Sequence, residues 1–144
     1  MGIPVQVTFD CADPERMAEF WTIALDYKGE DPPEGFETWE DALRAWQIPE
    51  ANWNDMNAVV DPQGGGPRLL FQKVPEPKTV KNRVHLDVNV GGPHGTSLED
   101  RTPRVDAHAA KLTAAGATIL RDVEERGERW IVMADPEGNE FCLQ

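Results

Sequence analysis

Val60-Asp61-Pro62-Gln63-Gly64, followed by Leu69-Leu70-Phe71-Gln72, reads as an apolar strand, a tight turn and a second apolar strand. Near the other end of the chain the pattern returns as Ala134-Asp135-Pro136-Glu137-Gly138, followed by Phe141-Cys142-Leu143-Gln144. Proline presets the φ of the turn and glycine takes its left-handed position, so both stretches carry hairpin chemistry. A turn of one kind flanked twice by the same kind of strand marks an internal repeat, and the repeat decides the fold.

Working outward, the two halves also begin alike. Val5-Gln6-Val7-Thr8-Phe9-Asp10 alternates apolar and polar residues, and so does Val84-His85-Leu86-Asp87-Val88-Asn89. A period of two predicts a half-buried strand, with Val5, Val7, Phe9 and Val84, Leu86, Val88 packed beneath helices. A helix is expected after each strand. Asp13 is a good N-cap, Pro14 suits the first turn, and Met17, Phe20, Trp21, Ala24 and Leu25 form one stripe. In the second half Val105, Ala109, Leu112 and Ala115 form the stripe, and Gly116 stops the helix. The stretch from Gly91 to Arg101 reads as a polar loop before it. Strands are predicted at 117–123, 130–133 and 139–143. The first half carries an insertion, about 29–55, in which Thr38-Trp39-Glu40-Asp41 opens a helix continued by Ala42, Leu43 and Trp46.

At 144 residues the chain can bury a real core. No apolar run is long enough to span a bilayer, and no secretory signal is visible, so a cytoplasmic protein is the expectation. A net charge of −12 argues against nucleic acid and anionic membranes as partners. Cys11 and Cys142 belong to no CxxC pair, so reduced thiols are expected and a zinc knuckle is not. Gly64-Gly65-Gly66 precedes a strand and not a helix, which removes a phosphate-loop reading.

Two βαβββ modules, an opening Val-x-Val-Thr-Phe-Asp strand and a closing Asp-Pro-Glu-Gly-Asn turn resemble the vicinal-oxygen-chelate family. Its members include glyoxalase I, extradiol dioxygenases and bleomycin-resistance proteins. The resemblance implies an α+β fold, two tandem modules whose mixed sheets form a cup. It also implies one domain over 1–144: module 1 at about 1–74, a linker at about 75–81, and module 2 at about 82–144. Metal-dependent members carry a ligand on the first and the last strand of each module. By resemblance these positions here are Gln6, Leu70, His85 and Cys142. Leu70 has no donor atom, and Cys142 stands where a carboxylate is expected. The expectation is therefore no tightly bound metal. If one binds, a divalent ion such as zinc would be held by Gln6 and His85 with Cys142 or Glu140, because Glu140 shares a strand face with Cys142.

The alternation sets Gln6, Thr8 and His85, Asp87 on the polar strand faces that would line such a cup. His85 is the leading site residue, with Asp87 orienting it or acting as a base; together they are the candidate catalytic pair. Gln6, Thr8, Arg68, Trp130, Glu140 and Cys142 are candidate ligand-binding residues. Each has a plainer reading: polar strand residues satisfy one another or face water, and Arg68 forms a surface salt bridge. Trp39, Trp46 and Trp53 make the insertion too apolar for a solvated loop, so it covers the cup, a sheet edge or a dimer interface. The expected function is binding and sequestering a small organic molecule, as resistance-type members of the family do. The alternative is a lyase, isomerase or dioxygenase using His85 with Asp87 or Glu140. A homodimer is expected.

Overall fold

The computed structural model describes residues 1–144. Its elements run β1 (Val7–Cys11), α1 (Pro14–Leu25), β2 (Lys28–Gly29), α2 (Trp39–Ala45), a 3-10 turn (Glu50–Asn52), β3 (Met56–Val60), β4 (Leu69–Lys73), β5 (Asp87–Val88), α3 (Leu98–Ala114), β6 (Thr118–Glu125), β7 (Glu128–Ala134) and β8 (Glu140–Leu143). The strands form two four-stranded sheets, ordered β1-β4-β3-β2 and β5-β8-β7-β6. In each, the first strand runs parallel to the last and the remaining pairs are antiparallel. The two sheets therefore share one topology, and the architecture is the expected α+β fold of tandem βαβββ modules. Contacts divide the chain into two compact units, Met1–Thr22 with Asp26–Pro77, and Ile23–Leu25 with Lys78–Gln144.

In the first unit the hairpin of β3 and β4 is closed by an aspartate. Asp61 accepts from the backbone N–H groups of Gln63, Gly65 and Gly66, and these bonds hold its carboxyl below the usual carboxylate range. Gly64 has φ of 77°, the left-handed geometry that glycine adopts without a Cβ penalty. The core lies on one face of the sheet. Leu69 and Phe71 of β4 are fully buried, and the Phe9 ring sits 5.4 Å from Phe71 and 5.2 Å from Trp21 of α1. Met17, Phe20 and Trp21 are buried as the helical stripe requires. The helix begins at Asp13, whose side chain accepts from the Arg16 N–H and from the Asn54 side chain. Asn54 in turn accepts from the Glu15 N–H, so the end of the insertion is tied to the start of α1.

The insertion is helical and caps itself. Thr38 accepts from the Asp41 N–H at the start of α2, and Ala42 is completely buried. Its tryptophans are only partly covered: the Trp39 indole donates to the Glu30 carbonyl and the Trp53 indole to the Ile48 carbonyl, with the Arg44 guanidinium over the Trp53 ring. Trp46 is half exposed, edge-on to Phe36.

In the second unit α3 packs on β6 and β7. Val105, Ala109 and Leu112 of the helix and Ile131, Met133, Phe141 and Leu143 of the sheet are buried. The helix starts at Leu98, inside the stretch read as loop, because Ser97 accepts from the Asp100 N–H and caps it. The β7–β8 turn repeats the aspartate device: Asp135 accepts from the Glu137 and Asn139 N–H groups and from the Asn139 side chain.

Two apolar residues expected beneath helices are not there. Val5 and Val84 are 74% and 80% exposed. The register explains both. Counting back from Val7↔Leu69, Val5 faces Pro67, which has no N–H to offer a ladder; counting back from Asp87↔Cys142, Val84 faces Asn139, inside the turn. The opening strands therefore begin only at Val7 and Asp87, and Val5 and Val84 lie ahead of the paired segments and stay exposed.

Candidate functional site

The face of the second sheet away from α3 gathers most of the expected residues. Asp87 of β5 lies directly opposite Cys142 of β8, Cys142 opposite Val132 of β7, and Val132 opposite Arg121 of β6. Directly paired residues point to one side of a sheet, so these four side chains form a row across it. His85 stands two residues before Asp87, and its Nε2 is 3.3 Å from Asp87 Oδ1. Glu140 stands two residues before Cys142, and half-buried Trp130 two before Val132. One surface thus carries an imidazole, two carboxylates, a thiol, a guanidinium and an indole around the apolar Val132.

The segment leading into β5 is positioned by Asn82. Its amide donates to the carbonyls of Val84 and Glu140 and accepts from the Glu140 N–H, doing the work of a peptide group where the ladder has not begun. This fixes the chain that carries Lys81 and His85 beside β8. Lys81 forms an ion pair with Glu140, and that hydrogen bond holds the Glu140 carboxyl below its ordinary value, helped by the charges of Lys78 and Arg121. Burial pushes the Cys142 thiol up, and the Asp87 carboxylate adds to the shift. At neutral pH the group is a thiol and not an activated nucleophile. The His85 and Asp87 side chains are about half exposed, 51% and 48%, and so are open to a ligand. An imidazole touching a carboxylate can take up or deliver a proton to a molecule placed against it.

The donor atoms of His85, Asp87 and Cys142 lie within 4.8 Å of one another. Nitrogen, oxygen and sulfur donors at that spacing suit a borderline ion such as zinc, with a further coordination position left open. This donor set includes Asp87, which the sequence pointed to as orienting His85 or acting as a base and not as a ligand. Glu140, weighed as a ligand from the sequence, is engaged by Lys81.

The first unit also holds a polar cluster. Arg68 forms a two-pronged ion pair with Glu30 and donates to Gln6 Oε1 at 2.8 Å, while Gln6 Nε2 donates to Thr8 at 3.3 Å. The pairing with Glu30 raises the Arg68 pKa above its ordinary value. Gln6, Thr8 and Arg68 are thus together, with the arginine charge matched inside the protein. Leu70, opposite Thr8, contributes no donor. Glu30, Asn82, Lys81 and Arg121 were not singled out from the sequence. Glu30 lies in the insertion and Lys81 in the linker, where no periodicity assigns a face. A register shift between Ile119 and Arg121 hides the face of Arg121 from simple alternation.

A glyoxalase-like domain family model matches residues 6–144. No curated protein matches. Among solved structures, a glyoxalase/bleomycin resistance/dioxygenase family enzyme from Burkholderia phytofirmans is 16% identical, with TM-score 0.62, covering 96% of this chain and 94% of that one. The fosfomycin resistance protein FosX from Mesorhizobium loti is 14% identical, with TM-score 0.64, covering 100% and 91%. A mutant FosX from Listeria monocytogenes, complexed with Mn(II) and 1S,2S-dihydroxypropylphosphonic acid, is 12% identical, with TM-score 0.62, covering 99% and 88%. Identities this low speak for the fold, whereas the family model spans almost the whole sequence: the chain belongs to the glyoxalase-like domain family.

Proposed function

We propose that the protein binds a small organic molecule against the face of its second sheet that points away from α3 and sequesters it, as a resistance-type binder. The carrying observation is the convergence of His85, Asp87, Glu140, Cys142 and Trp130 around Val132 on one surface. Charged groups orient a ligand there, while the half-buried Trp130 indole supplies apolar contact. Leu70 supports a reading without a tightly held metal, because a ligand position on β4 is lost. The resistance proteins among the solved structures of this fold agree with such a role.

A thermal-shift screen of aromatic and anionic small molecules, run with a chelator present, tests this reading. A ligand that raises the melting temperature of the wild type should fail to do so in His85→Ala. The variant's own melting temperature should stay within a few degrees, since substitution of a half-exposed side chain costs at most about 0.5 kcal/mol. An unchanged ligand response in the variant would remove His85 from the site. The 3.3 Å contact between His85 and Asp87 supports a second reading, acid–base catalysis of a lyase or isomerase reaction. Conversion of a screened ligand during incubation, lost in His85→Ala, would select catalysis over sequestration.

The same proposal includes a homodimer, supported by the exposed apolar side chains Trp46, Ile48 and Met56 of the first unit. Light scattering should give twice the 16.1 kDa chain mass. A monomer mass at every concentration would refute it.

A further inference from the structure

We propose that the molecule held on this face is a planar organic acid, and that Arg121 of β6 is the residue that selects its carboxylate. The inference rests on the small-molecule reading above and names the class of ligand for that site. A bulge puts Arg121 there. Thr118 and Ile119 pair with Ala134 and Met133, but Arg121 pairs with Val132, so Leu120 is an extra residue in β6. Without it, Arg121 would lie opposite Ile131 and share that residue's buried face. With it, Arg121 ends the row of Asp87, Cys142 and Val132, on the side that His85 also faces. Re-aiming a side chain in this way is a known use of bulges beside binding sites.

The charges of the face leave Arg121 unmatched. Lys81 is paired with Glu140, and the His85 imidazole lies 3.3 Å from Asp87. Arg68, Arg101 and Arg129 are each locked to carboxylates elsewhere. Arg121 is exposed and has no such partner. Its charge still reaches the middle of the face: it adds to the Lys81 ion pair in keeping Glu140 ionised, and at Cys142 it opposes the burial that raises the thiol. A chain of net charge −12 repels small anions in general, so one settles only beside a free cation. The planar guanidinium fork matches a carboxylate through two parallel hydrogen bonds. Half-buried Trp130 stands on the neighbouring strand, two residues before Val132, and offers a flat wall to a ring carried by that acid. Arg121 and Asp87 are three strand spacings apart, roughly 14 Å between backbones. Side chains reach inward from both ends, so a single-ring acid spans the remainder, with a hydroxyl group toward His85 and Asp87.

Calorimetric titration of the full chain with para-hydroxybenzoate, its neutral amide and para-hydroxyphenylphosphonate tests the assignment. The acid should bind at least about tenfold tighter than the amide, the usual scale of a hydrogen bond to a charged group. Added salt should weaken binding of the acid and leave the amide unchanged. In Arg121→Met the acid should fall to the affinity of the amide while the amide keeps its own, and Arg121→Lys should retain part of the preference. Arg121 is exposed, so the melting temperatures of both variants should stay near that of the wild type. An acid preference that survives in Arg121→Met, or no binding of the acid at millimolar concentration, would overturn the proposal. Binding of the phosphonate more than about tenfold tighter than the carboxylate would also overturn it, since the planar fork would then not be what selects. Acid binding that is lost in His85→Ala, with the preference intact in Arg121→Met, refutes this inference alone and leaves the small-molecule reading standing. Acid binding unchanged in His85→Ala refutes both.

Discussion

Replacing Phe71 by Ala is expected to destabilise the first unit by about 3–5 kcal/mol, the usual cost of deleting a buried phenyl ring. Leu70→Ala, one residue earlier on the same strand, is expected to cost less than about 1 kcal/mol. The contrast follows from the alternation of β4. Phe71 is completely buried, lies opposite Phe9 in the β1–β4 register and stacks against its ring at 5.4 Å. Leu70 points to the other side, opposite Thr8, where burial is only partial. Denaturant unfolding of the two variants measures both costs. Similar costs, or a larger one for Leu70, would mean that the strand faces are assigned the wrong way round.

Asp135→Ala should cost about 2–4 kcal/mol, because removing the acceptor strands several donors in a buried turn. The aspartate is 3% exposed and accepts from the Glu137 N–H at 2.9 Å, the Asn139 N–H at 3.0 Å and the Asn139 side-chain amide at 2.9 Å. Alanine would leave those groups facing protein without a partner. Asp61→Ala removes the matching carboxylate of the first hairpin, but the donors there sit nearer to water, which can replace it, so a smaller drop in melting temperature is expected. Thermal melts of the two variants side by side make the comparison. A drop for Asp61→Ala as large as that for Asp135→Ala would show that local turn geometry, and not burial, sets the cost.

The parts of the fold written in local chemistry were legible. The Asp-Pro-x-Gly turns and the Asp13 and Thr38 caps depend on residues close in sequence and formed as read, whereas the period-two strands formed shorter than read, from Val7 in the first half and only at Asp87–Val88 in the second. What was misread depends on partners far away. Val5 and Val84 have the right pattern, but whether they are covered is decided by where β4 and β8 begin. The start of α3 was missed because Ser97 and Asp100 lie in a stretch whose glycines and proline suggested loop. At the candidate site, the alternation placed His85 and Asp87 on one face, and family resemblance pointed to Cys142. That Asp87 faces Cys142 is a matter of register between distant strands, which no local pattern encodes. The engagement of Arg68 by Glu30 and of Glu140 by Lys81 is likewise long-range pairing.

The ligand surface proposed above is the face of the second sheet that points away from α3. Amide chemical-shift mapping of the labelled protein, titrated with the ligand found by screening, tests it most directly. Perturbations should concentrate on residues 85–88, on Trp130 to Val132 and on 140–143, and they should vanish in His85→Ala. Perturbations that cluster instead along the shallow groove of Asp55, Met56, Gln72 and Val74 in the first unit, or that persist unchanged in the variant, would contradict it.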